Sequence, residues 1–131
     1  MKLITRETDY AVRALVFIAK EKKRIVSVTE LVKALKIPRP FLRKLLQVLN
    51  REGVLRSYKG NKGGFLLARS ASNIFLTDLM KIFQGPLELN ECIFKKKICP
   101  NRGDCILRNK VGSIERRVIS ELGNIAINNL L

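Results

Sequence analysis

Residues 27–57 read SVTELVKALKIPRPFLRKLLQVLNREGVLRS, and their punctuation is that of two short helices joined by a tight turn. Ser27 and Glu30 stand three apart, the spacing at which each side chain can take the other's backbone N–H, so a short helix opens here and runs to about Leu35. Lys36-Ile37-Pro38 turns the chain. Pro40 suits the first position of a second helix, where a proline's missing N–H has no partner to lose, and Gly53 suits its stop. Leu42, Leu45, Leu46 and Leu49 then share one face, with Arg43, Lys44, Gln47, Asn50 and Arg51 on the other. One face packs, and the other is wet and basic. Two helices so arranged are a helix-turn-helix, whose second helix enters the DNA major groove.

A surface helix can carry the same pattern, so the residues that follow decide the matter. Val54-Leu55-Arg56-Ser57-Tyr58 reads as a strand, 59–64 (KGNKGG) as a turn and Phe65-Leu66-Leu67-Ala68 as a returning strand. A hairpin directly after a recognition helix is a wing. Its tip presents Lys59, Asn61 and Lys62 to a phosphate backbone or minor groove. The stretch lacks the G-x-x-x-x-G-K-[ST] spacing of a nucleotide-binding loop.

Charge points the same way. The 131 residues carry 26 Lys+Arg against 11 Asp+Glu, a net +15, which favours a polyanionic partner. Residues 1–70 hold 17 basic and 5 acidic side chains, residues 71–131 only 9 and 6, so the polyanion belongs to the first half. Between residues 36 and 69 the count is 9 to 1, on the second helix and the wing, which raises DNA above other polyanions.

Upstream, Ala11, Val12, Leu15, Val16, Ile18 and Ala19 recur at helical spacing from Thr8 to about Lys20, with Asp9 in the first turn. Downstream, Thr77-Asp78 can cap a helix that ends before Gly85-Pro86. After Cys105, Leu107, Val111, Ile114, Val118 and Leu122 form a narrow seam on a long helix that ends at Gly123, which suits a dimer contact or, for part of the seam, packing against the chain's own winged domain. The expected fold is mainly α with a small β-hairpin wing, a winged helix-turn-helix plus a long C-terminal dimerisation helix. Its parts are a DNA-binding unit over 1–84, a cysteine loop over 85–105 and a dimerisation helix and tail over 106–131, in one structural unit. The opening residues carry charges inside their apolar pattern, and no run approaches the ~20 apolar residues of a membrane span, so a cytoplasmic protein with no membrane partner is expected.

All three cysteines, Cys92, Cys99 and Cys105, lie in ECIFKKKICPNRGDC, and the chain has no histidine. In a reducing compartment, an odd cluster of thiols suggests metal or redox chemistry rather than disulfides. Gaps of six and five suit a wrapped iron-sulfur cluster better than zinc, which tends to pair cysteines two to four apart, and a bare thiol switch is a further alternative. Lys95, Lys96, Lys97 and Arg102 would offset the cluster's negative charge. A cysteine-nucleophile enzyme would want a base beside its thiol, and without histidine an enzyme is not expected. A redox-insensitive adaptor working through its long helix is the rival that the cysteines count against.

Taken together, MKLITRETDYAVRAL, the helix-turn-helix, the wing tip KGNKGGFLLAR, the three cysteines and the closing NIAINNLL resemble the IscR/NsrR/CymR-type winged helix-turn-helix transcription regulators. The resemblance covers essentially the whole chain. It implies a homodimer on palindromic promoter DNA, with the long helix crossing to the partner. It also implies an iron-sulfur cluster (2Fe-2S or 4Fe-4S) on the three cysteines, sensing nitric oxide, redox or cluster status. Where some members have a histidine ligand this chain has Arg108, which cannot ligate. Others use an acid near the start of the first helix, from the other subunit; the matching residue is Asp9, with Glu7, Glu91, Asp104 or a small exogenous ligand as alternatives. Arg39, Phe41, Arg43, Lys44, Gln47 and Arg51 are the expected DNA-contacting residues of the helix, Arg43 being the best placed for a bidentate guanine contact. Pro38 and Pro40 flank Arg39 where the family commonly has small hydroxyl residues, a departure that alters the local contacts.

Overall fold

The computed structural model describes residues 2–21, 24–88 and 105–131. Cys92 and Cys99, the neighbouring Lys95, Lys96, Lys97 and Arg102, and the alternatives Glu91 and Asp104 lie outside the described residues. The elements run α1 (Arg6–Lys20), α2 (Val28–Leu35), α3 (Arg39–Arg51), β1 (Leu55–Tyr58), β2 (Gly64–Leu67), a short 3-10 turn, α4 (Leu76–Gln84), α5 (Ile106–Gly123) and a closing 3-10 turn (Ile127–Leu130). Mostly helical with a two-stranded antiparallel hairpin, this is the expected winged-helix order.

Local chemistry sets each boundary. The Ser27–Glu30 capping box is present in both halves, Glu30 N–H donating to Ser27 Oγ at 3.1 Å and Ser27 N–H to Glu30 Oε1 at 3.4 Å. Gly53 closes α3, with Val54 N–H reaching back to Leu49 O at 2.9 Å and Gly53 N–H to Asn50 O at 3.2 Å. The strands run Leu55–Tyr58 and Gly64–Leu67 where 54–58 and 65–68 are expected, and three helix starts also differ from expectation. Helix α1 begins at Arg6 rather than Thr8, because the extended Thr5 supplies the cap, its hydroxyl accepting from Thr8 N–H. Arg39 takes the first position of α3 and Pro40 the second. Helix α4 begins at Leu76, with Asp78 Oδ2 reaching back to accept from Phe75 N–H at 3.2 Å, so Thr77 lies inside the first turn instead of capping it.

The core gathers Ala11, Ala14, Leu15 and Ile18 of α1, Leu31 of α2, Leu42, Leu46 and Leu49 of α3, Val54, Leu55 and Phe65 of the wing, and Ile74, Leu79 and Ile127. The tail joins this core by pairing: Leu76 N–H donates to Ile125 O and Ile127 N–H to Ile74 O, each at 2.8 Å. By contrast no residue of α5 is fully buried in the protomer; Leu107 is 67% and Ile114 47% exposed, while Val111, Val118 and Leu122 are half-buried.

The wing is tied to the start of α2 by backbone. Val26 N–H donates to Phe65 O at 3.0 Å and Phe65 N–H to Val26 O at 2.8 Å, beside the β1–β2 register in which Leu55 faces Leu67 and Tyr58 faces Gly64. At Gly64 the Val26 backbone comes so near that a Cβ would fall well inside van der Waals contact with the Val26 carbonyl. Gly64→Ala should therefore cost about 1–3 kcal/mol in urea unfolding, while Gly123→Ala, where a Cβ meets nothing within 4 Å, should be neutral or stabilising.

Candidate nucleic-acid interface

Burial of the α3 leucines fixes what its other face can do. Leu42, Leu46 and Leu49 are fully buried and Leu45 is 4% exposed, so Arg39, Arg43, Gln47 and Arg51, four residues apart in succession, form an outward stripe with Lys44 beside it. Among the described residues no ion pair falls on α3 or the wing, so these cations keep their charge available. Arg39 Nη2 donates to Thr29 Oγ1 at 3.2 Å, a cross-helix bond that ties the first side chain of the stripe to α2. Lys59, Asn61 and Lys62 are exposed at the wing tip, where Gly60 takes φ +102° to close the turn.

Phe41 stands apart from the other expected contacts. Its ring is half-buried and meets Tyr10 of α1 edge-on, centroids 5.5 Å apart at 87°, so much of its surface is given to holding α3 against α1.

Two acids of this half of the molecule, Glu21 and Glu30, are engaged by Arg24. Arg24 bonds Glu21 through Nη2 at 2.9 Å and Glu30 through Nη2 at 2.8 Å. The bond to Glu30, then that to Glu21, pushes the Arg24 guanidinium above its ordinary value; the bond from Arg24 holds the Glu30 carboxyl below the usual carboxylate range. Glu30 therefore keeps its capping carboxylate while its charge is answered locally.

At the other end, Asp9 Oδ2 accepts from Arg13 Nε at 2.9 Å on the exposed side of α1. Cys105 is a half-buried free thiol at the start of α5, its Sγ accepting from the Arg108 backbone N–H at 3.4 Å. Among the described residues no group of three Cys, Asp or Glu gathers to hold a metal, and two of the three cysteines lie outside them. Thr29, Arg24 and Tyr10 were absent from the expected site. A hydroxyl or cation whose partner sits on another element leaves no periodic mark in the sequence.

A family model described as Rrf2, iron-dependent transcriptional regulator, matches residues 4–131. The chain is 34% identical over 111 residues to a helix-turn-helix-type transcriptional regulator of Aquifex aeolicus strain VF5, spanning 83% of this chain and 77% of that protein. It is likewise 34% identical over 103 residues to Protein aau3 of Rhizobium meliloti strain 1021, spanning 78% and 67%. Among solved structures it is similar to CymR (YrzC), the global cysteine regulator of B. subtilis, with TM-score 0.82, 20% identity and coverage of 99% and 96%. T. potens IscR gives TM-score 0.76 at 20% identity, covering 99% of this chain and 85% of that one. At that identity the two structures speak for the fold.

The depressed Glu30 carboxyl carries a pH dependence whose sign is fixed. Because its folded-state pKa lies below its unfolded one, the stability it contributes is present at neutral pH and is lost as pH falls through the folded value. Glu30→Gln should lower stability at pH 7 and flatten the loss on acidification, read from urea midpoints from neutral pH down through the acid range.

Proposed function

The chain belongs to the Rrf2 family of transcriptional regulators, and from that premise we propose a cytoplasmic homodimer that binds palindromic promoter DNA under the control of an iron-sulfur cluster. Regulators of this family act by binding DNA and are not enzymes. Among the described residues no helix is long and apolar enough to cross a membrane.

For DNA recognition the supporting observation is the outward stripe Arg39, Arg43, Gln47 and Arg51, without an acidic partner among the described residues and flanked by the basic wing. Arg43 lies mid-stripe, where a guanidinium can take guanine O6 and N7 together, and Lys59, Asn61 and Lys62 meet phosphate or minor groove. Helix α5 supports the dimer, since its 18 residues bury none fully and its seam leaves Leu107 and Ile114 exposed and Val111, Val118 and Leu122 half-buried, an apolar surface that a second copy can cover. Two copies then present their α3 helices to half-sites one turn apart, about 34 Å.

The observation that carries the sensor is that every cysteine falls between residues 92 and 105, directly before α5. Cys92, Cys99 and Cys105 fit three ligand positions of a cluster, in a chain with no histidine to compete. The geometry at Cys105 suits this role: a free thiol, half-buried, with one backbone N–H already on its sulfur. Asp9 of the partner subunit is the fourth ligand. Releasing it from Arg13 forfeits an exposed pair worth only about 0–1 kcal/mol, a small penalty beside a metal bond. The chemistry such a cluster supplies is the reaction of thiolate-bound iron with nitric oxide or oxidants.

Protein purified without oxygen should be brown, carry about one cluster per subunit and sediment as a dimer; a colourless, iron-free protein that binds its promoter tightly would end the sensor reading. Arg43→Ala should lose about 1–3 kcal/mol on its selected sequence and little on random DNA. Lys59→Ala should weaken both equally and lower the salt slope by about one, which a titration of binding against salt concentration would read.

A further inference from the structure

The end of α4 is bonded to the start of α1 by a single side chain. Gln84 Oε1 accepts from the Thr8 hydroxyl at 2.8 Å and from Thr5 N–H at 3.1 Å, and Gln84 Nε2 donates to Leu3 O at 2.9 Å. Three bonds thus span 76 to 81 residues of sequence. Thr8 is the one fully buried polar residue among those described, and its hydroxyl meets only Gln84 and Thr5. Leu3 O and Thr5 N–H could be satisfied by water, so the amide is not needed to satisfy them. What it does is fix the orientation of the first turn of α1 against α4.

Its position gives that bond a direction. Gln84 is the last residue of α4, Gly85 follows at φ +77°, and only residues 85–91 separate the amide from Cys92. On the other side, Thr8 is two residues from Tyr10, whose ring meets Phe41 in the first turn of α3. Helix α1 buries Ala11, Ala14, Leu15 and Ile18 in the common core, so its first turn cannot move without the helix. From Gln84, eight positions before Cys92 in the chain, the described bonds lead to Thr8, and helix α1 carries on to Tyr10 and its contact with Phe41, two residues before Arg43.

We propose that Gln84 is a positioning residue that couples the cysteine segment to the recognition helix of its own protomer, through Thr8 and the Tyr10–Phe41 contact. The inference rests on the sensor reading, but the route is separate from Asp9, which would link the segment to the opposite subunit. Gln84 touches neither DNA nor cluster. A shift of the chain that leaves α4 at Gly85 would reach the first turn of α1 through the Gln84 bonds, and the edge-on aromatic pair would pass it to α3.

The test uses a duplex selected from a random pool by the purified chain, and compares protein reconstituted anaerobically with iron and sulfide against iron-free protein. In the natural chain the two forms should differ in DNA affinity by about tenfold or more, with a matching change in amide hydrogen exchange over residues 5–9. Gln84→Met and Thr8→Val should each retain the visible cluster absorption yet shrink that ratio to about threefold or less, and the double variant should shrink it no further. A Gln84→Met protein that keeps the full ratio overturns the inference. A second arm needs no cluster: residues 89–104 are replaced by a Gly-Ser linker of equal length, in the natural and the Gln84→Met backgrounds. The replacement should change affinity and exchange only where Gln84 is present, even if the natural chain takes up no iron. Equal changes in both backgrounds, or none in either, refute the coupling on their own.

Discussion

The direction in which the cationic stripe of α3 faces is set by the leucines on its other side. Leu42, Leu46 and Leu49 are fully buried and Leu45 nearly so. Each such burial contributes on the order of 2 kcal/mol, so together they amount to much of the margin by which a small domain is stable. A rotation of α3 that swung Arg39, Arg43, Gln47 and Arg51 inward would expose those leucines and bury four polar or charged groups. The packing face and the reading face are thus one constraint stated twice. The wing adds a second bearing: because Val26 pairs with Phe65 by backbone, the hairpin is registered to the start of α2 rather than merely following α3 along the chain.

Electrostatics then follows from geometry. A chain of net charge +15 would present a diffuse positive field if its acids were scattered, which would favour nonspecific binding over reading. Instead Arg24 draws Glu21 and Glu30 into a local cluster, leaving the α3 stripe and wing tip without carboxylate partners among the described residues. Because Glu30 is also half of the α2 capping box, the helix that supports α3 and the charge balance beside it depend on the same carboxylate.

What could be read in the sequence was whatever repeats or caps locally. The Ser27–Glu30 box, the leucine period of α3, the Gly53 stop and the hairpin that follows each leave a mark within a few residues, and the structure has them all. Boundaries slipped where a distant partner decides them. Thr5 opens α1 as an N-cap and is itself bonded to Gln84, 79 residues away, and Asp78 displaces Thr77 by reaching back to Phe75. The tail NIAINNLL reads as an appendix, yet Ile127 is buried and Ala126 bridges Phe75, a pairing no local pattern announces. Phe41 is among the expected DNA contacts, and its ring also packs within the protein. That its ring meets Tyr10 depends on how α1 crosses α3, which sequence spacing does not encode.

The same reasoning bears on why a sensor would be placed where the cysteines are. Helix α5 buries none of its 18 residues fully in the protomer, although it packs in part against α4. Its first turn is held where Cys105 Sγ accepts from the Arg108 N–H. The other end of the cysteine segment leaves α4 at Gln84, the residue that orients α1. If α5 forms the proposed dimer contact and Gln84 the proposed coupling, a segment joined to both can alter half-site spacing and helix orientation together. Control at that junction needs no large rearrangement, because DNA half-sites fix both quantities at once and a small error in either is enough to lose the second contact.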